Sequence, residues 1–298
     1  MVGPRARGGP ARGRRPGRGY RVIESRVVGG RYLLLDELDR RGFGPSRRAE
    51  DRITGRTVAV TEIVMPADGA ARQRLLAEVR AAGRLRHPGV VGVLDLITDR
   101  AADGGMREYL VTEHPDARPL GRLVAGDDPP SLRAVAGIGR EVLAALRDVH
   151  AGAGTHGGLD PDCVLITPDG RALVTDVGLS RAVGPRAAGA DTGAFTAPER
   201  DGGTGDTPAA DLWSLGAVLH HAGGREAAPG SPLAQAITGL TAADPAERLG
   251  PDDADALLGR AAGPRGSGGD LGRNRWILLV VAALLAVAVV AMLLWVVR

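Results

Sequence analysis

From Trp276 to Val297 the chain runs for 22 residues without a charged or polar side chain. As a helix rising ~1.5 Å per residue, that run is about 33 Å long, close to the hydrocarbon thickness of a bilayer. Trp276 and Trp295 sit near its ends, where amphipathic rings favour the membrane interface. The run is therefore read as a single transmembrane helix. Arg273 and Arg275 precede the run and only Arg298 follows it, so the positive-inside rule puts the preceding body in the cytoplasm and the C-terminus outside. The expectation is a single-pass protein of the cell membrane without an extracellular sensor domain. No apolar stretch follows the early arginines, so a signal peptide is not expected.

All 38 basic residues are arginine. Chemistry that needs a lysine amine or ammonium, such as a Schiff base or a P-loop lysine, is thereby excluded. The charge is uneven. Residues 1–28 hold eight arginines against Glu24 alone, residues 260–275 hold four against Asp270, and the body between them is net acidic. The pI near 9.7 therefore reflects the flanks, and nucleic acid is a disfavoured partner. Residues 1–28, rich in Arg, Gly and Pro, read as a disordered basic arm. Attraction to anionic lipid, on the order of 1 kcal/mol per arginine, is its functional reading, and a solubilising tail is the rival. Residues 261–275 read as a flexible juxtamembrane linker. The single Cys163 excludes an intrachain disulfide and a multi-cysteine zinc site, and the six histidines lack metal-ligand spacing.

The body reads as strands first and helices after. Tyr32–Leu38, Thr57–Ile63, Val90–Ile97 and Glu108–Val111 carry strand character, the second rich in β-branched residues after a Thr54-Gly55 turn. Ala71–Leu85 has helical spacing through Leu75, Leu76, Val79 and Leu85. A long helix starts at Ser131, with Leu132, Val135, Ile138, Val142, Leu143 and Leu146 on one face. Two short apolar runs, Cys163–Ile166 and Ala172–Val174, flank the turn Pro168-Asp169-Gly170. Helices follow at Ala209–His221, Pro232–Leu240 and Asp253–Leu258.

Within this order stand specific motifs. GRYLLLDELDRRGFG (30–44) resembles a kinase Gly-rich loop region, and RAEDRITGRTVAVTEI (48–63) the second and third strands of a kinase. HPGVVGVLDL (87–96) resembles the stretch after the C-helix. THGGLDPDCVLITPDGRALVTDVGLSR (155–181) is similar to the catalytic loop, hairpin and metal-binding turn. FTAPER (195–200), DLWSLGAVL (211–219) and DPAERLG (244–250) complete the series. The body resembles the membrane-anchored, eukaryotic-like Ser/Thr protein kinases of bacteria. The resemblance implies an α+β, two-lobed fold, with a small antiparallel lobe at 29–113 and a larger helical lobe at 114–260. It also implies ATP with magnesium as the cofactor, with Gly42, Gly44, Ala59, Glu78 and Glu113 on the nucleotide side.

Phosphoryl transfer depends on positioning and charge neutralisation, so each departure from the family pattern has a chemical meaning. Thr61 stands where the family has its third-strand lysine, and Glu78, the C-helix acid, is then expected to be left without its cation, as a solvated helix acid. Gly158 occupies the position of the catalytic base. Asp160 replaces a phosphate-steadying lysine and inverts its charge, and Cys163 replaces a metal-binding asparagine. Gly157 removes an arginine that grips an activation-segment phosphate. Asp39 and Arg41 fill two glycine positions of the phosphate loop. Asp176 is retained, either as a metal ligand or as a turn residue before Gly178, and Val177 replaces the usual phenylalanine. His156 reads as structural and Cys163 as a small buried apolar side chain. Glu199 with Arg248 matches the family's buried ion pair, and Asp211 its anchor for the catalytic loop. Architecture is kept and chemistry is lost. The leading expectation is a membrane-tethered pseudokinase that binds an unidentified protein partner. The rivals are a weak kinase rewired through Asp176 and Asp160, and a sensor that binds ATP without transferring phosphate.

Overall fold

The computed structural model describes residues 26–38, 43–66, 68–101, 103–184, 192–201 and 205–264. Residues 1–25 of the expected basic arm, 265–275 of the expected linker and the apolar run 276–297 lie outside them. The expected arm 1–28 ends earlier, because Val27–Val28 pair as a strand, and the expected linker 261–275 starts later, because the last helix runs through Ala262. Among the described residues no helix is long and apolar enough to cross a membrane.

Strands β1 (Val27–Val28), β2 (Tyr32–Glu37), β3 (Ser46–Asp51), β4 (Thr57–Ile63), β5 (Val93–Arg100) and β6 (Met106–Glu113) form one antiparallel sheet in the order β1-β2-β3-β4-β6-β5. Its ends approach each other: Gly29 N–H donates to Asp99 at 2.8 Å and the Tyr32 hydroxyl to Asp95 at 3.1 Å. Successive side chains leave a strand on opposite faces. One face buries Val28, Tyr32, Leu34, Ala49, Val58, Val60, Tyr109 and Val111 inside the curl. The other places Ile63 and Leu110 against helix α1 (Ala71–Ala82) through Leu75.

The helical lobe is built on α3 (Leu132–Gly152), capped by Ser131, whose hydroxyl accepts from Ala134 N–H. Its apolar residues recur every three or four positions, and Val135, Ile138, Val142, Leu146 and Val149 are buried. Against it pack α6 (Pro208–His221) and α8 (Pro251–Ala262), with α7 (Pro232–Leu240) packed on those two; α6 and α7 are capped by Thr207 and Ser231. Before α3 come β7 (Arg118–Pro119) and α2 (Leu120–Val124); β7 joins β8 (Val164–Ile166) and β9 (Ala172–Val174) in a small sheet. Helix α4 (Leu179–Val183) follows β9, and α5 (Pro198–Asp201) precedes α6. Between α6 and α7 lies only the single 3-10 turn Gly224–Glu226, in keeping with the short Asp211–Arg248 spacing.

Several expected boundaries shift. The strand expected at Val90–Ile97 runs instead from Val93 to Arg100, because residues 89–91 are drawn to β9: Val91 N–H donates to Val174 O and Val174 N–H to Gly89 O, both at 2.8 Å. Helix α1 ends at Ala82 rather than Leu85, with Gly83 as its C-cap. The last helix is longer than its apolar core suggests, because Pro251 is a good first helical residue.

Candidate functional site

Thr61 lies on β4 opposite Leu110, and its hydroxyl is 2.9 Å from that of Ser46 on β3. Two neutral hydroxyls thus satisfy each other where the sequence pattern called for a cation. Ala59 is buried on the same strand, and Glu113 closes β6 by accepting from Gly92 N–H at 3.1 Å. Gly44 runs against β4: Val64 N–H donates to Phe43 O and Glu62 N–H to Pro45 O, and a Cβ at Gly44 would collide with the Glu62 carbonyl. This glycine is required by strand contact. Gly42, with Asp39 and Arg41, lies outside the described residues. Phe43 is buried with Leu75 of α1 and with Leu179 and Ala182 of α4.

The expectation that Glu78 stands alone as a solvated acid is corrected. Arg181 on α4 donates through Nε to Glu78 Oε1 at 3.1 Å and through Nη2 to Oε2. The same guanidinium donates to the carbonyls of Ala153 and Thr155 and to the Thr155 hydroxyl. It therefore ties α1 to the segment that leads into the catalytic loop. A cation from the other lobe neutralises the acid, which solves the problem that loss of the strand cation created.

In that loop His156 is buried and its Nε2–H donates to Thr175 O at 2.9 Å. Burial lowers its pKa, against opposing pulls from Asp211, Thr175 O, Asp176 and Asp160, and so favours the neutral ring. Asp211, almost wholly buried, accepts from His150 Nε2, His156 N–H and Gly157 N–H at 2.7–3.0 Å. Burial would raise its pKa, but these donors outweigh burial and hold it below the ordinary carboxylate value. Arg248 grips Glu199 with two bonds of 2.6 and 3.0 Å and also donates to Ala209 O and Ala242 O.

The positions where the family's reactive groups stand are turned to structural work. Asp160 is buried and accepts from Asp162 N–H and Cys163 N–H at 2.9 Å, a local cap of the turn. Cys163 is buried, and its thiol donates to Gly158 O at 3.4 Å. Gly158 carries no base, and the Ser180 hydroxyl fills the place of its missing Cβ. Val177 is buried in the helical-lobe core.

Asp176 has φ 66°, the one positive value outside glycine among the described residues. Its Oδ1 accepts from the Thr175 hydroxyl at 3.3 Å, and its buried Oδ2 has no partner. It borders a cavity of about 10 Å³ lined also by Val79, Leu110, Thr112 and Val177, close to the room one water needs. Magnesium prefers several hard oxygen ligands in octahedral geometry. Asp176 supplies one free carboxylate oxygen, whereas the second family position is a buried thiol turned to a carbonyl. Among the described residues no group of three or more His, Cys, Asp and Glu could hold a metal. The groups at these positions, among the described residues, do not fit a magnesium site.

The model of the protein kinase domain family matches residues 34–249. The chain belongs to the protein kinase family. It is 32% identical over 204 residues to the serine/threonine-protein kinase PknA of Mycobacterium tuberculosis, covering 66% of this chain and 47% of that protein. It is 34% identical over 205 residues to the DNA damage-responsive serine/threonine-protein kinase RqkA of Deinococcus radiodurans, covering 65% and 30%. The chain thus spans less than half the length of these curated relatives. The crystal structure of the Mycobacterium tuberculosis PknI kinase domain shares the fold, with TM-score 0.65 and 20% identity over 81% of this chain and all of that one. Protein kinases as a family use ATP with magnesium.

Sequence reading found the positions that frame the kinase site but gave no role to Ser180 or Arg181. Arg181 pairs with an acid 103 residues away, and no local spacing marks such a partner.

Proposed function

We propose that this kinase-family chain is a pseudokinase: a binding or scaffolding module that has given up phosphoryl transfer. The observation that carries the reading is the Ser46–Thr61 hydroxyl pair on the strand where a cation should meet phosphate, with Glu78 committed to Arg181 instead. The missing base at Gly158 alone corresponds to a loss of roughly 10²–10⁴ in rate. The double cap on Asp160 argues against its use as a substitute base. In this reading residues 276–297 anchor the protein in the cell membrane with the kinase-like body on the cytoplasmic side. The arm before residue 26 meets anionic lipid, and the body engages a protein partner.

A second reading, nucleotide binding without transfer, is favoured by the unpartnered Oδ2 of Asp176. The two are separated on the full-length chain with radiolabelled ATP and with a thermal-shift series in ATP, magnesium and manganese. The pseudokinase reading expects no phosphate incorporation into the chain or into a general acceptor protein. Incorporation abolished by Asp176→Ala or Asp160→Asn would establish the weak-kinase alternative instead. A nucleotide-dependent rise in Tm without incorporation assigns the sensor role.

A further inference from the structure

Three consecutive facts about one short helix point beyond the loss of chemistry. A Cβ at Gly158 would collide with the Ser180 hydroxyl and come within 2.9 Å of the Ser180 Cβ. A Cβ at Gly157, where φ is +76°, would lie 2.9 Å from Arg181 Cγ. A Cβ at Gly178, where φ is +79°, would lie 2.5 Å from Glu78 Oε2 and 3.1 Å from Arg181 Nη2. The two glycines of the catalytic loop thus leave the volumes that Ser180 and Arg181 of α4 fill. The other side of α4 is equally committed, with Leu179 and Ala182 buried with Phe43, Ile63 and Leu75.

We infer that Gly157-Gly158 is a socket for α4, which makes this part of the activation segment a fixed component of the fold. In this arrangement the loss of two side chains from the loop and the seating of the helix are one event, because the same space cannot hold both. Real Cβ atoms essentially never approach as closely as these positions would require, so a side chain at 158 forces the Ser180 hydroxyl out of its place and its Cβ to shift, which loosens the seat of the helix. The lobes are then held in one relation by α4, through the Arg181–Glu78 pair on one side and the cluster of Leu179 and Ala182 with Phe43 and Leu75 on the other. This seat of α4 does not depend on whether nucleotide binds. A further consequence is that restoring an acid at 158 does not re-arm the site while Ser180 remains.

The test is a double-mutant cycle in the full-length chain, Gly158→Ala against Ser180→Gly, read by thermal unfolding. The socket predicts that Gly158→Ala lowers Tm by roughly 3–10 °C when Ser180 is present and by much less in the Ser180→Gly background. Equal losses in both backgrounds overturn it. Should Gly158→Ala fail to fold, hydrogen exchange in the unmodified protein decides. The amides of Ala182 and Gly184, bonded to Gly178 O and Ser180 O, are then expected to exchange as slowly as those of α1. Arg181→Gln is expected to speed them by about tenfold or more. Rapid exchange in the unmodified chain overturns the proposal.

Discussion

Glu78 of α1 is held by Arg181 of α4, so the acid and its cation come from different lobes and are 103 residues apart in sequence. Both side chains are largely shielded, at 22% and 16% exposure. Removing one partner strands a part-buried charge, while removing both does not. Glu78→Gln and Arg181→Gln are each expected to cost about 1–3 kcal/mol, and the double variant less than their sum. Urea unfolding of the four proteins measures the coupling. Strict additivity, or single losses within about 0.5 kcal/mol, would show that the pair carries no weight.

The Glu199–Arg248 pair is expected to matter more. Arg248 is 1% exposed, Glu199 is 12% exposed, and the guanidinium also satisfies two backbone carbonyls. Glu199→Gln leaves the buried cation short of its counter-ion, with an expected loss of about 3–5 kcal/mol by the same urea assay. A loss no greater than that of Glu78→Gln would reverse the ranking of the two pairs.

His156 sets a pH dependence of its own. Its folded pKa lies below the ordinary value of 6.5, so the unfolded chain binds the proton more tightly. The contribution is whole above about pH 6.5 and is lost as pH falls toward the folded value. Asp211 and Glu199, whose folded pKa values are lowered from 3.8 and 4.5, act on the same side but in a more acidic window. Stability is therefore expected to fall between about pH 7.5 and 5.5, and His156→Gln to flatten that fall. Denaturant midpoints at the two pH values check this, and an unchanged slope in the variant would contradict it.

The strand of seven residues at Thr57–Ile63, the turn between β8 and β9 and the long helix after Ser131 were legible because each rests on local rules. Alternation, helical periodicity and capping are properties of neighbours in sequence. The segment 89–91 was not legible as a connection, since Val91 N–H donates to Val174 O and Gly89 O accepts from Val174 N–H, more than eighty residues on. The short α4 gave no periodic signal at five residues.

By itself the sequence determined the two-lobed kinase framework and what stands at the reactive positions: Thr61, Gly158, Asp160 and Cys163 in place of cation, base, cation and amide. Identity at a position is a local fact, and the absence of lysine settles that no ammonium stands at any of them. Only the tertiary structure decided what those residues do instead. Thr61 bonds to Ser46, Asp160 caps a turn, Cys163 donates to Gly158 O, and Gly158 makes room for Ser180. These pairings, and that of Glu78 with Arg181, depend on close packing between segments distant in the chain. Packing fixes distances between residues that sequence spacing leaves free.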